Sequence, residues 1–235
     1  MANYSKRIVC LANSRKHSGR CIAGREVLGD RYVSWIRPVS ARPSAELSEE
    51  ERRYENGRDP QMLDIIDISM LAPAPLLHQS ENHVIDAVYY WYKTGRLAYA
   101  TLTQLADEPP TLWADGESTY HGQNDRVALD VAGRMTNSLV LIRPESLSIR
   151  VQAEGTEFGN CRRRVRACFR YHGTSYSLII TDPVAERAFL AGPDGPYPAP
   201  EGYLCVSLGR AHTDNYCYKL VAGVITEPPL RDVND

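Results

Sequence analysis

The stretch that decides the fold is Lys6–Ser40, KRIVCLANSRKHSGRCIAGREVLGDRYVSWIRPVS. It contains three short apolar runs separated by Gly and Asp residues, namely Ile8–Ala12, Cys21–Leu28 and Tyr32–Ile36. Short β-prone runs divided by such turn residues are typical of strands in an antiparallel meander. The stretch therefore predicts the first sheet of a β-rich protein.

Basic side chains crowd the first connection of this stretch. A cationic loop between two buried strands is suited to binding an anion, and a solvated hairpin loop explains the same residues equally well. The candidate binding residues are Arg15, Lys16, His17 and Arg20 in the connection, with Arg25 and Arg37 on or beside the following strands.

The composition is that of an ordinary folded protein. The chain has 235 residues, of which 43% are hydrophobic and 24% charged, enough for one large or two small domains with hydrophobic cores. The formal net charge is −2, so a nucleic-acid site would have to come from local clusters of Arg and Lys rather than from an overall basic field.

The six cysteines form no C-x-x-C pair, so their spacing does not indicate a zinc site. Four of them lie in apolar, strand-like runs, which favours buried reduced thiols in a cytosolic protein. The N-terminus lacks the apolar core of a secretory signal, and no apolar run approaches the ~20 residues of a membrane helix. We expect a cytoplasmic protein with no membrane partner, no metal and no cofactor.

Helix signals are few. Ser48 and Glu51 form a capping box and predict a short helix over Ser48–Tyr54. Thr101 and Gln104 suggest a second capping box within 97–106. Pro183–Leu190, preceded by Asp182, has the Pro and the cap of a third short helix.

Strand-like segments dominate both halves of the chain. The predicted strands after the first three are Met62–Leu71, Ser138–Ile142, Leu147–Gln152, Arg163–Tyr171, Ser175–Thr181, Tyr203–Leu208 and Cys217–Ile225. The segment 107–137 is rich in turn residues and is the predicted domain junction. Each half has the content of a small Greek-key barrel.

The clearest binding signal is Cys161–His172, CRRRVRACFRYH. On a strand, alternate side chains point to opposite faces, so Arg164, Arg166 and Arg170 would share one face opposite an apolar one. Guanidinium groups repeating every roughly 6.5–7 Å could follow a phosphate backbone. The alternative is a solvated face neutralised by acids such as Glu154 and Glu157.

A second polar cluster occupies residues 78–83, HQSENH. His78 and His83 could act as acid/base groups with Glu81 orienting them, and Gln79 and Asn82 could bind a ligand. The two histidines are five residues apart, which suits neither one helix face nor one strand face, so a structural polar network is the favoured interpretation. No phosphate-binding loop, dinucleotide turn or nucleophile elbow is present in the sequence.

Three stretches together resemble the dual OB-containing domain family of prokaryotic proteins: KRIVCLANSRKHSGRCIAGRE with WIRPVS, LLHQSENHVID, and YLCVSLGRAHTDNYCYKLVAGVI. The resemblance implies two tandem barrels and a role in sensing nucleic acids or nucleotides, often in defence systems. The residues that carry it are Lys16, His17, Gly19, Arg20, Trp35, Arg37, His78, Gln79, Glu81, Asn82, Tyr218 and Lys219.

We therefore expect a mainly β protein of two tandem OB-like small β-barrels with a few short helices. The expected divisions are 1–110 for the first barrel, 111–137 for a linker and 138–235 for the second barrel. The first functional hypothesis is a non-catalytic module for single-stranded nucleic acid or nucleotides. The alternatives are an enzyme or sensor acting on a small phosphorylated nucleotide through residues 78–83, and an adaptor for protein partners in a defence complex.

Overall fold

The computed structural model describes residues 4–16, 18–199 and 201–230. The chain divides into two compact units, and each of them contains one β-barrel. The first unit contains the residues up to Leu105 together with Thr136–Ser138. The second contains Ala106–Met135 and the residues from Leu139 onward.

The first barrel follows the order β1-β2-β3-β5-β4 and closes because β1 also pairs with β4. All neighbouring strands are antiparallel except β3 and β5, and an additional strand, β6, extends the sheet from β4. The elements are β1 (Tyr4–Lys16), β2 (Gly19–Leu28), β3 (Arg31–Val39), α1 (Glu49–Arg52), β4 (Asp64–Pro73), β5 (Asn82–Ile85), β6 (Tyr92–Arg96) and a 3-10 helix (Tyr99–Gln104).

The second unit repeats this topology with one interruption. Its elements are β7 (Arg126–Ala128), α2 (Leu129–Ala132), β8 (Leu139–Ile142), β9 (Ser146–Glu154), a 3-10 helix (Thr156–Phe158), β10 (Arg162–Tyr171), β11 (Thr174–Ile180), α3 (Pro183–Leu190), β12 (Gly195–Pro198), β13 (Gly202–Ala211) and β14 (Tyr216–Thr226). The sheet order is β9-β10-β11-β14-β13-β8, with β12 beside β9 and β7 beside β14.

The interrupted strand is what closes the second barrel. β8 and β9 are separated by only three residues around Pro144, so together they correspond to the single first strand of the other barrel. β8 pairs with β13 and β9 pairs with β10, which completes the ring. As in the first barrel, the third and last strands of the ring, β11 and β14, are parallel. Five strands in this order with a helix after the third form the OB-fold, as the sequence predicts.

Alternating apolar side chains fill each barrel. In the first, Ile8, Cys10, Ile22, Ile36 and Ile66 point inward and are almost completely buried. In the second, the inward residues of β9 and β10, such as Val151, Val165 and Phe169, do the same. Burial of one strand face in each case fixes the register and decides which side chains face outward.

The helix predictions have mixed outcomes. The capping box of Ser48 and Glu51 is confirmed, although α1 ends at Arg52 and not at Tyr54. α3 is confirmed with Asp182 as its cap. The capping box predicted at Thr101 and Gln104 is wrong, because that segment is a 3-10 helix whose first residues follow Ala98 without a side-chain cap.

The predicted linker 111–137 differs from the observed division. Its residues up to Met135 belong to the second unit, where they include β7 and α2 and provide the buried Leu112 and Val127. Residues 136–138 belong to the first unit. The many turn-forming residues of this segment therefore belong to irregular loops of the second unit and not to a linker between the two units.

Candidate nucleic-acid interface

The outward face of β9, β10 and β11 contains the strongest cluster of basic side chains. As the alternation predicts, Val165, Ala167, Phe169 and Tyr171 point into the core, which leaves the even-numbered residues of β10 on the other face. In an OB barrel, this sheet face and the loops at its borders are where oligonucleotides bind.

Arg166, however, is not available on that face. Its side chain is buried, with Nε 2.6 Å from Glu154 Oε1 and Nη2 3.0 Å from Glu154 Oε2, while Nη1 lies 3.5 Å from Asp125 Oδ2. Burial opposes ionisation of Glu154, but the hydrogen bonds and charge of Arg166 prevail and lower the pKa of this carboxyl. The expectation that all three arginines of β10 present themselves to a ligand therefore does not hold for Arg166.

Arg150 takes the place of Arg166 as an accessible cation. It lies on β9 directly opposite Arg166, is exposed, and has no ion-pair or hydrogen-bond partner among the described residues. Arg164, opposite Gln152, is half-buried and has no such partner in the described chain either. Arg170 is exposed, and among the described residues the acid that it approaches is Glu145, at 4.0 Å. Arg150 could have been found by applying the same alternation to SLSIRVQ, where it falls on the polar side.

Small polar side chains form the floor between these arginines. A shallow cavity of about 260 Å³ lies beside Arg150 and Arg170. Its floor includes Ser146, Ser175 and Ser177, with Cys168 Sγ 3.6 Å from Ser177 Oγ. The hydroxyl groups of this floor and the guanidinium groups at its rim can donate hydrogen bonds to phosphate or sugar oxygens.

Two exposed aromatic rings lie at the end of this face. Phe158 belongs to the loop between β9 and β10, and its ring centroid is 6.1 Å from that of Tyr120. Phe158 is 71% exposed and Tyr120 is 76% exposed, which is unusual for rings of this size. Exposed aromatic rings beside a cationic groove are the usual platform for unpaired bases.

The basic residues of the first barrel differ in their exposure and in their contacts with the rest of the barrel. Arg15 and Arg20 are opposite one another at the end of the β1–β2 hairpin, where Arg15 is exposed. Lys16 Nζ donates to the carbonyl oxygen of Ser44 at 2.8 Å. Arg25 donates to the carbonyl oxygen of Val33 at 2.8 Å and stacks on Trp35. The candidate His17 lies outside the described residues.

Gly19 explains why this hairpin is held closely against the chain that follows β3. A Cβ atom at Gly19 would lie 2.5 Å from the carbonyl oxygen of Leu47. Arg20 and Leu47 exchange both backbone hydrogen bonds at 2.9 Å. The hairpin is therefore anchored by its backbone, and among its described basic residues Arg15 is exposed while Lys16 and Arg20 are half-buried.

Arg37 is buried and serves a structural contact. Its Nη1 atom lies 2.9 Å from Glu81 Oε1, and both side chains are about 5% exposed. The Ser138 hydroxyl donates to the same carboxylate oxygen. The outward residues of β1–β3 near Arg37, namely Val9, Leu11, Ala23 and Trp35, are also buried. The face that is open in the second barrel is thus closed in the first.

The polar cluster 78–83 is largely internal. His78, Gln79, Glu81 and Asn82 are buried, while His83 is half-buried with Nδ1 2.6 Å from the Tyr4 hydroxyl. Desolvation and, secondarily, the charge of Lys6 lower the pKa of His83. The cluster lies in the β4–β5 connection and start of β5, where its buried polar groups support the loop, and the structure groups no three metal-ligating side chains within the residues it describes.

Two OB barrels, one with an open cationic face, define the chain as an OB-fold protein. The sequence matches the family described as Dual OB-containing domain over residues 6–224, so the chain belongs to this family and the resemblance is confirmed. Comparisons with curated proteins and with solved structures found no match. Within the residues that the structure describes, no helix is long and apolar enough to span a membrane.

Proposed function

We propose that this chain is a non-catalytic module that binds single-stranded nucleic acid on the β9–β10–β11 face of its second barrel. The observation that carries the proposal is the set of Arg150 and Arg170, which are exposed, and Arg164, which is half-buried. Two of these cations have no acidic partner in the described part of the chain, and the third has only a distant one. Charges that the fold does not neutralise are available to phosphates.

The spacing of these arginines suits an extended strand. Arg164 and Arg170 are six residues apart on β10, which corresponds to roughly 20 Å at the usual rise of a strand. Arg150 lies between them on the neighbouring strand, opposite Arg166. Three phosphates of one strand could therefore be held along the face, while a base stacks on Phe158 or Tyr120 at its end.

A single strand fits better than a duplex because the exposed rings need an unstacked base as their partner. A cytoplasmic location and a role as a sensor or adaptor in a defence system belong to the same proposal, and the family resemblance implies the sensing role. The enzyme alternative is less well supported, because His78 and Glu81 are buried within the polar network of the β4–β5 connection.

The test is a binding titration of a fluorescently labelled single-stranded oligonucleotide, followed by anisotropy. Replacing Arg150 and Arg164 together by Gln should weaken binding at least about tenfold, because each removes a charge-assisted contact. Arg163→Gln is the matched control. It removes one guanidinium from β10, the strand of Arg164, but Arg163 is on the other side of that strand and is bound to Asp194 at 2.8 Å.

Unchanged affinity in the Arg150/Arg164 variant would overturn the proposal, and so would an equal loss in the Arg163→Gln control. Melting curves of all three proteins establish that they are folded. Because Arg150 and Arg164 make no recorded bond within the described residues, their replacement should not lower the melting temperature.

A further inference from the structure

We infer that the first barrel carries a separate pocket for a nucleoside phosphate. The pocket has a volume of about 500 Å³ and lies beside the start of β4 and β6. This volume is in the ordinary range for small-molecule sites. None of its lining residues belongs to the candidate interface of the second barrel, so the inference does not depend on the proposed function.

Aromatic side chains form one wall of this pocket. Tyr54 and Trp91 are buried, whereas the ring of Tyr92 is 69% exposed and forms no hydrogen bond recorded in the described chain. A flat, accessible ring at the mouth of a polar cavity is suited to stacking on a planar heterocycle, and such stacking tolerates any base.

Basic and acidic side chains also line the pocket, namely Arg58 and Lys93 with Glu55, Asp59 and Asp64. The Arg58 guanidinium is exposed and has no ion-pair or hydrogen-bond partner within the described residues. Lys93 Nζ lies 2.6 Å from the buried Asp64 carboxylate, which Arg96 also approaches at 3.4 Å. Lys93 and Arg96 thus share the Asp64 carboxylate, while the exposed Glu55 of the lining offsets the charge of Arg58. With Asp59 paired to Arg52, these side chains carry a formal surplus of one positive charge for a phosphate group.

A third requirement comes from an unsatisfied acceptor. Asp59 lines the pocket and binds Arg52 through Oδ2 at 2.7 Å, but its Oδ1 atom is buried without a hydrogen-bond partner among the described residues. A small rotation of this carboxylate would open Oδ1 to the pocket, where it would favour a ligand with N–H or O–H donors. A ring, a donor and a negative charge occur together in a nucleoside phosphate, whose base or ribose provides the donor.

The same chemistry could come from a free nucleotide or from the terminal nucleotide of a strand. The experiment therefore titrates the full chain with adenosine and guanosine mono-, di- and triphosphates by calorimetry, and separately with a 5′-phosphorylated oligonucleotide and its unphosphorylated counterpart. A binder of the folded state also raises the melting temperature, which gives an independent readout.

The expected result is that at least one probe binds with a Kd below about 1 mM and that Tyr92→Leu or Arg58→Ala weakens it about tenfold. Tyr92→Phe keeps the ring and should retain binding within about twofold. Tyr89→Leu is the matched control, since Tyr89 is an exposed tyrosine of the same segment that does not line the pocket.

If the ligand is a free nucleotide, the adenosine or guanosine phosphates should bind and the two variants should weaken that binding. If the ligand is the end of a strand, only the phosphorylated oligonucleotide should bind in this way. The inference is overturned if no probe binds, or if binding is insensitive to Tyr92→Leu and Arg58→Ala. It is also overturned if Arg150→Gln abolishes nucleotide binding, because the nucleotide would then be bound at the second barrel.

Discussion

Arg37 and Glu81 are joined twice: the backbone N–H of Arg37 donates to the carbonyl oxygen of Glu81 at 2.8 Å, and Arg37 Nη1 lies 2.9 Å from Glu81 Oε1. The hydrogen bond and the ion pair join the end of β3 to the segment that leads into the parallel strand β5. A residue expected to contact phosphate instead fixes the place where two parallel strands of the barrel meet.

We predict that Glu81→Gln destabilises the protein by about 3–5 kcal/mol, because it removes the negative charge that pairs with the buried Arg37 guanidinium. Urea unfolding followed by circular dichroism measures the change. The control is Glu145→Gln, the same substitution in the exposed pair with Arg170, which should change stability by less than about 1 kcal/mol. Similar effects of the two substitutions would show that the Arg37 charge is already well solvated.

The salt dependence of nucleic-acid binding is the second prediction. Three guanidinium–phosphate contacts give a slope of log K against log salt of about −2 on a single strand, whereas six contacts would give about −4. Arg150→Gln should make the slope shallower by about 0.7, and Arg163→Gln should leave it unchanged. Anisotropy titrations between 50 mM and 200 mM salt measure it, and a slope near zero contradicts the proposal.

Local signals explain how much of the fold the sequence could predict. The three runs of Lys6–Ser40 became β1–β3, since alternation and turn residues act within a few positions. The same holds for α3, whose cap Asp182 accepts bonds from Val184 and Ala185. β5 was missed because a strand of four residues, two of them Asn and His, has no apolar pattern and is stabilised by its neighbours.

The candidate site was harder to predict because charge pairing depends on distant residues. Alternation correctly placed Arg166 opposite the core face, but it could not show that Glu154 comes from β9 and Asp125 from a preceding segment. The same limitation concealed the contact between Arg37 and Glu81. Alternation along β9, in contrast, would have placed Arg150 on the polar face. It did not stand out in the sequence because it is a single basic residue among uncharged neighbours.

The aromatic pair at the β9–β10 loop gives a third prediction. Phe158→Ala and Tyr120→Ala should each weaken single-strand binding by about 1–3 kcal/mol if each ring stacks on a base, while the salt slope stays the same. Phe158→Tyr preserves the ring and should bind normally. Tyr89→Ala removes an exposed ring from the first barrel and serves as the control. A change in the salt slope with Phe158→Ala would mean that the loop itself has moved.

The final prediction concerns pH and the first barrel. Burial and the nearby Lys6 lower the pKa of His83 in the folded protein, whereas the unfolded chain has the ordinary value of 6.5. The unfolded state therefore takes up a proton before the folded state does, so the contribution of His83 to stability is complete above pH 6.5 and is lost as the pH falls through the lower folded value. The Tyr4 hydroxyl lies 2.6 Å from Nδ1 of this imidazole, and either group can be the donor of the hydrogen bond.

Replacing His83 by Gln should consequently flatten the decrease of melting temperature between about pH 7 and pH 5, a range in which the ordinary imidazole titrates. The comparison is with His212→Gln, which changes an exposed histidine near the β13–β14 turn and should retain the slope of the unmodified protein. The difference between the two variants isolates the half-buried imidazole of His83, because the remaining histidines are common to both. A steeper decrease in His83→Gln than in His212→Gln would mean that protonated His83 stabilises the barrel, contrary to its lowered pKa.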